Sequence, residues 1–270
     1  MTIKTETIAV QGGSLDIQLH TGDPELPTLI FLHYWGGSHR TWSPLIDELN
    51  WAGPVVTYDQ RGWGRSRGLP GPYEIDQLAD DLDRIVTELG ARQYVLVGHS
   101  MGGKVVQLFA ARRPPGLIGV VLIAPAPAHP AITEPEQQGL SHAYDTEATI
   151  TAALTHVLTH HPLPHNLHAQ VVTDSLATSP PARSAWPLHS IAQNITTPVA
   201  AITAPVLILA GEHDQVDPPT VLLDHLLPHL PTAELEILPH TGHLSPLEIP
   251  TPLATRLHKF LSETATPTTT

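Results

Sequence analysis

The chain has 270 residues, a length that suits one large domain or one domain carrying an insertion. Its 26 acidic residues outnumber 13 basic ones, and the formal net charge of −13 argues against nucleic acids and anionic membranes as partners. The sequence contains no cysteine, which excludes disulfides, thiolate metal sites and a cysteine nucleophile.

The beginning of the chain does not look like a targeting segment. Residues 1–10 carry charges and lack the apolar run of roughly 7–15 residues that a secretory signal needs. No stretch approaches the ~18 uninterrupted apolar residues of a membrane span. We therefore expect a cytoplasmic protein with no membrane partner; a mature secreted form that has lost its signal is the alternative.

The first half of the chain alternates short apolar runs with segments of helical periodicity. In chain order, strands are predicted at 15–19, 28–32, 55–58, 94–97 and 119–124, and helices at 43–50, 75–89 and 103–112. The alternation resumes late in the chain, with strands predicted at 206–210 and 235–238, and helices at 220–230 and 252–261. Such alternation is typical of a mostly parallel, doubly wound α/β sheet, formed here by residues 1–124 and 205–263.

Residues 125–204 interrupt this pattern. They contain no convincing strand and are rich in Pro, His, Thr and Ala, with helical spacing at 147–158. We interpret them as a mostly helical cap, inserted over the carboxyl edge of the sheet, that sets substrate choice; a loose, partly disordered excursion is the alternative. The polar end of the chain, 264–270, is predicted to be disordered.

The segment Gly98-His99-Ser100-Met101-Gly102 is the most informative motif, because a predicted strand precedes it and a predicted helix follows it. A Gly-x-Ser-x-Gly turn in that setting exposes the serine hydroxyl at the end of a sheet strand, where it can act as a nucleophile. The two glycines relieve crowding where the strand and the helix cross. Ser100 is therefore the candidate nucleophile.

A serine hydroxyl needs a base, and the base needs an orienting acid. His243 follows the last predicted strand, and Asp214 follows the strand before it, so both are expected at the same sheet edge as Ser100. The chain order Ser, Asp, His is the order that this kind of scaffold uses. Asp217 and Glu212 are the rival acids, but neither has the same spacing after the strand.

The developing oxyanion needs a pair of N–H donors held in place. One candidate is the backbone N–H of Met101, directly after the nucleophile. The second is expected from the loop after the strand at 28–32, where Trp35 and Gly36 both carry suitable N–H groups.

With these motifs the chain resembles the α/β-hydrolase superfamily along nearly its full length. The shared features are the elbow at 98–102, the Gly-x-x-Asp segment at 211–214, the Gly-His pair at 242–243 and the segment at 59–66. Where the family carries His-Gly-x, this chain has His33-Tyr34-Trp35, and the match implies that Trp35 supplies the second oxyanion N–H. Tyr34 departs from the family pattern at the glycine.

These features predict a serine hydrolase that cleaves a small or medium uncharged carboxylic ester or lactone through an acyl-enzyme. The alternatives are a ligand receptor or slow signalling hydrolase, and lyase or cofactor-free oxygen chemistry (perhydrolase or haloperoxidase-like) on the same residues. Ser at position 100 argues against relatives that attack through a carboxylate. We expect a mainly apolar pocket walled by Trp35, Met101 and Trp186, with a small molecule as partner; the sequence does not indicate an oligomeric state.

We expect neither a cofactor nor a metal. The insertion carries several histidines, but prolines interrupt their helical spacing and no carboxylate accompanies them. The group consists of His156, His160, His161, His165 and His168. Lys104, just inside the nucleophile helix, is interpreted as a solvated or capping charge.

Overall fold

The computed structural model describes residues 2–264, which form one eight-stranded sheet with helices on both faces. The strands are β1 (Ile3–Val10), β2 (Gly13–His20), β3 (Thr28–Leu32), β4 (Val55–Tyr58), β5 (Tyr94–His99), β6 (Leu117–Ile123), β7 (Val206–Gly211) and β8 (Ala233–Leu238). They pair in the order β1-β2-β4-β3-β5-β6-β7-β8. The β1–β2 and β2–β4 pairs are antiparallel and all the others are parallel, which confirms the predicted mostly parallel sheet.

The sheet is doubly wound because its inner strands are apolar on both faces. Along β3, Ile30 and Leu32 join one hydrophobic cluster, while Leu29 and Phe31 join the other, as the two-residue period of a strand requires. Helices α1 (Ser43–Leu49) and α11 (Pro250–Thr264) cover the second face. Helices α2 (Ile75–Leu89), α3 (Met101–Ala110) and α9 (Pro219–His225) cover the first.

Residues 125–204, all of which the structure describes, contain helices and no strand. The helices are α4 (Glu134–Leu140), α5 (Glu147–Ala153), α6 (His165–Ala177), α7 (Pro180–Leu188) and α8 (Thr196–Val199). They pack onto the hydrophobic cluster of the first face. The short helix α10 (Ser245–Glu248) follows β8 in the core.

Three predictions about elements differ from the structure. Strand β1 was not predicted, because half of its side chains are polar and most are exposed at the sheet edge. The helix predicted at 220–230 ends at His225 and continues only as a 3₁₀ turn at Leu227–His229, since Pro228 has no N–H to donate. Thr264, predicted to open the disordered tail, is the last residue of α11, and 265–270 lie outside the described residues.

Within residues 2–264, no helix combines the length and the apolar character needed to cross a bilayer.

Candidate active site

Ser100 occupies a strained turn between β5 and α3. Its backbone torsions are φ 52° and ψ −115°, a region that non-glycine residues rarely adopt. A Cβ at Gly102 would lie 2.4 Å from the carbonyl oxygen of Leu32, and a Cβ at Gly98 would lie 2.6 Å from that of Gly102. Only glycine fits these two positions, so the motif lets helix and strand approach closely enough to hold the strained serine.

Helix α3 begins at Met101, two residues earlier than predicted, so the helix N-terminus lies directly after Ser100. The Met101 N–H is the first of the helix and donates no hydrogen bond within residues 2–264. It is therefore free to donate to a group bound at Ser100.

The Trp35 amide is oriented through the preceding carbonyl. The Tyr34 oxygen accepts from the Gly37 N–H at 3.0 Å and from His33 Nδ1 at 2.7 Å. Because a trans peptide is planar, the Trp35 N–H points to the opposite side, where it has no partner among the described residues. Tyr34 replaces the family's glycine without adopting a positive φ.

His33, which sequence reasoning passed over, holds this loop in one conformation. Its Nε2 accepts from the Gln60 N–H at 3.1 Å, so Nδ1 carries the proton that is donated to Tyr34. Burial lowers the pKa of His33, which keeps the ring neutral in this tautomer. The hydrogen bond to Gln60 joins the end of β3 to the loop after β4, and the local sequence around His33 does not predict it.

The candidate acid and the candidate base lie in contact in the structure. Asp214 Oδ2 lies 2.8 Å from His243 Nδ1, and both side chains are buried. Asp214 Oδ1 accepts the N–H groups of Val216 and Asp217, which fixes the carboxylate in place. Burial by itself lowers the pKa of His243, but the Asp214 carboxylate outweighs it, and the net pKa is raised.

Neither rival acid forms a side-chain hydrogen bond with His243 within residues 2–264. Asp217 is buried, yet it meets Asp214 only through its backbone N–H, and burial raises its pKa to about 7. Glu212 is exposed and accepts from the His240 N–H at 2.8 Å. The geometry favours Asp214 as the partner of His243.

His99 connects the base to the nucleophile turn. Its Nε2 donates to the His243 carbonyl at 2.8 Å, and the two rings are 5.3 Å apart. Burial lowers the pKa of His99 to about 3, so the ring is neutral. Because His99 directly precedes Ser100, this bond brings the His243 loop onto the nucleophile turn.

Trp35 and Trp186 belong to the contact between core and cap. The Trp35 ring stacks on Tyr144 at 4.2 Å, and its Nε1 donates to the Arg183 carbonyl at 3.0 Å. Trp186 is buried one turn further along α7. Ser100 is only 6% exposed, so little of its surface is open to solvent in this conformation.

Lys104 is buried, contrary to the prediction of a solvated or capping charge. Its Nζ donates to the carbonyl of Ile191 in the cap at 2.8 Å, and burial lowers its pKa to about 8. The ammonium ties α3 to the cap, a contact between residues 87 positions apart that local periodicity does not reveal.

The family model described as the alpha/beta hydrolase fold matches residues 27–250. The chain belongs to the alpha/beta hydrolase fold family. Among solved structures, this alpha/beta hydrolase is similar to a thermophilic esterase from Thermogutta terrifontis, with a TM-score of 0.80 and 25% identity, over 98% of this chain and 100% of that one. It also has the fold of a bromoperoxidase from Bacillus anthracis, with a TM-score of 0.86 and 18% identity, over 96% and 100% of the two chains.

Two curated relatives resemble this alpha/beta hydrolase over most of its length. One is RutD of Stutzerimonas stutzeri, whose name carries a provisional assignment as a carbamate hydrolase; it is 28% identical over 250 residues, 89% of this chain and 94% of that protein. The other is the bifunctional esterase/perhydrolase DCH of Acinetobacter calcoaceticus, 28% identical over 214 residues, 73% and 78% of the two chains. The RutD of Caulobacter segnis is 41% identical over 90 residues, where the match spans about a third of each protein.

Proposed function

We propose that the protein is a serine hydrolase that cleaves small or medium uncharged carboxylic esters or lactones through an acyl-enzyme on Ser100. The observation that carries the proposal is a strained serine at a helix N-terminus, joined through His99 to a buried imidazole that a carboxylate orients. These are the nucleophile, base and orienting group that acyl transfer requires.

In this mechanism His243 Nε2 removes the proton from Ser100 Oγ as the oxygen attacks the substrate carbonyl. Asp214 holds the Nδ1–H tautomer and stabilises the imidazolium that forms. The N–H groups of Met101 and Trp35 donate to the oxyanion. His243 then gives its proton to the leaving oxygen, and water hydrolyses the acyl-enzyme with the same residues.

The buried, mainly apolar surroundings support an uncharged substrate. The side chains of Trp35, Met101 and Trp186 are each less than 5% exposed, and a charged substrate there would lose its hydration without a partner of opposite charge. Of the charged side chains nearby, Arg183 and Lys104 are already engaged with backbone carbonyls of the cap.

Pre-steady-state kinetics with p-nitrophenyl esters of increasing acyl length test this proposal. Where deacylation is slower than acylation, an acyl-enzyme gives a burst of p-nitrophenol close to the enzyme concentration, followed by a slower steady state; rapid quench and mass spectrometry should then show the acyl group on Ser100. A lactone series and an aryl carbamate, assayed in parallel, define the substrate class. Tight binding of these compounds without turnover would instead support the receptor alternative.

Peroxide-dependent chemistry is the second candidate, and the similarity to an esterase/perhydrolase favours it. Its assay is formation of peracetic acid from acetate and hydrogen peroxide. Peracid formation that exceeds ester hydrolysis would overturn the hydrolase assignment.

Trp186 is expected to set acyl preference. Trp186 is a buried residue of α7 that we propose lines the acyl pocket, so Trp186→Ala should enlarge that pocket and shift relative kcat/KM toward longer acyl chains by about tenfold. The measurement is kcat/KM across the ester series, together with Ser100 labelling by a fluorophosphonate. Equal loss for all esters in a destabilised protein would identify Trp186 as a packing residue only, and an unchanged profile would place it outside the pocket.

A further inference from the structure

Three exposed histidines from separate segments converge beside the candidate active site. His160 comes from the cap, His213 follows β7 and His240 follows β8. One ring nitrogen of each lies within 4.8 Å of the others. The rings of His160 and His213 stack at 3.9 Å, and the ring of His240 lies 6.4 and 6.2 Å from them.

A carboxylate completes this group. Glu212 Oε2 lies 3.5 Å from His213 Nε2 and 3.8 Å from His240 Nδ1. The same oxygen accepts the His240 backbone N–H at 2.8 Å, which fixes the carboxylate beside the two rings. Three imidazoles and one carboxylate are a donor set that suits four-coordinate Zn²⁺.

Backbone contacts hold the cap histidine in position. Glu248 accepts the N–H groups of His160 and His161 through Oε2, at 2.8 and 3.2 Å, and that of Gly242 through Oε1, at 3.1 Å. The Leu244 N–H donates to the Leu158 carbonyl at 2.9 Å. These bonds fix the cap segment around His160 to the loop that carries His243.

We propose that His160, His213 and His240, with Glu212, bind a divalent transition-metal ion such as Zn²⁺ and thereby clamp the cap to the two loops that carry Asp214 and His243. The proposed ligands do not include Ser100, Asp214 or His243. This proposal departs from the prediction that the protein binds no metal. That prediction considered five cap histidines, of which only His160 belongs to the cluster, whereas its partners come from the core.

Isothermal titration of the metal-free, untagged protein with Zn²⁺ tests the site. We expect one ion per chain, and at least a tenfold loss of affinity in His213→Gln and in His240→Gln, since even a residue that only supports a ligand costs about 10–100-fold. His225→Gln is the matched control, because His225 lies in a second exposed histidine pair, 3.1 Å from His129, and should bind Zn²⁺ as the wild type does. Ser100→Ala should also bind normally, which separates this proposal from the proposed function.

Thermal unfolding and Co²⁺ absorption complete the test. Excess Zn²⁺ should raise the Tm of the wild type and of His225→Gln, and should not raise that of a His213→Gln, His240→Gln double variant. Bound Co²⁺ should give the intense visible absorption of a four-coordinate site. Equal weak binding by all variants would mean an adventitious ion only, and loss of binding in His225→Gln alone would move the site to the other histidine pair; either result overturns the proposal.

Discussion

Ser100→Ala should lower kcat for an activated ester on the order of 10⁴–10⁶-fold, because the nucleophile, base and acid act as a unit. The substituted residue meets the same backbone strain as serine at φ 52°, so the turn should keep its shape. Hydrolysis by the variant is measured under saturating substrate, and the fold is checked by circular dichroism.

Covalent labelling gives an independent measurement of the same residue. A fluorophosphonate should modify the wild type at Ser100, as mapped by mass spectrometry, and should leave Ser100→Ala unmodified. Ser190→Ala is the control, since Ser190 is a buried cap serine whose hydroxyl has no partner among the described residues. Labelling at another serine, or an esterase-active sample that is not labelled, would contradict the assignment.

Asp214→Asn should reduce kcat about 10⁴-fold. The asparagine oxygen can still accept from Val216 and Asp217, which presents its amide N–H₂ to His243 Nδ1. Nδ1 must then accept, so the proton moves to Nε2 and the ring can no longer act as the base. Asp217→Asn, the matched control, should change kcat by less than about tenfold, because Asp217 makes no side-chain bond to His243.

The pH dependence of kcat/KM tests whether Asp214 raises the pKa of His243 during turnover. In the wild type, Asp214 raises the pKa of His243 above its ordinary 6.5, so kcat/KM should fall as pH drops through a value above 6.5, where the base becomes protonated. Loss of the Asp214 charge should lower the pKa of His243, so the acid limb of the residual activity should move to lower pH. If Asp217→Asn were the more damaging variant, Asp217 would be the acid.

The core of the fold could be predicted because its signals are local. The runs at 28–32, 55–58 and 206–210 are apolar throughout, as buried parallel strands require, and the structure places β3, β4 and β7 there. The candidate site followed from the same pattern, since residues directly after parallel strands meet at one edge.

Other features depend on contacts between distant residues. The neutral tautomer of His33 depends on Gln60, and the burial of Lys104 depends on the Ile191 carbonyl. Tyr144 reaches Trp35 only once the cap has folded over the core. A histidine, a lysine and a tyrosine carry no local pattern that distinguishes these positions from exposed ones.

The loop that carries Trp35 is held from two sides. The Trp63 Nε1 in the core donates to the Trp35 carbonyl at 2.5 Å, while Ser175 Oγ in the cap donates to the Gly36 carbonyl at 2.9 Å. These two bonds tie the Trp35 loop both to the sheet core and to the helical insertion. With the Trp35 N–H as the second oxyanion donor that we propose, insertion sequences that move Ser175 or Tyr144 should alter kcat along with KM, so a new substrate range should be harder to evolve without loss of turnover.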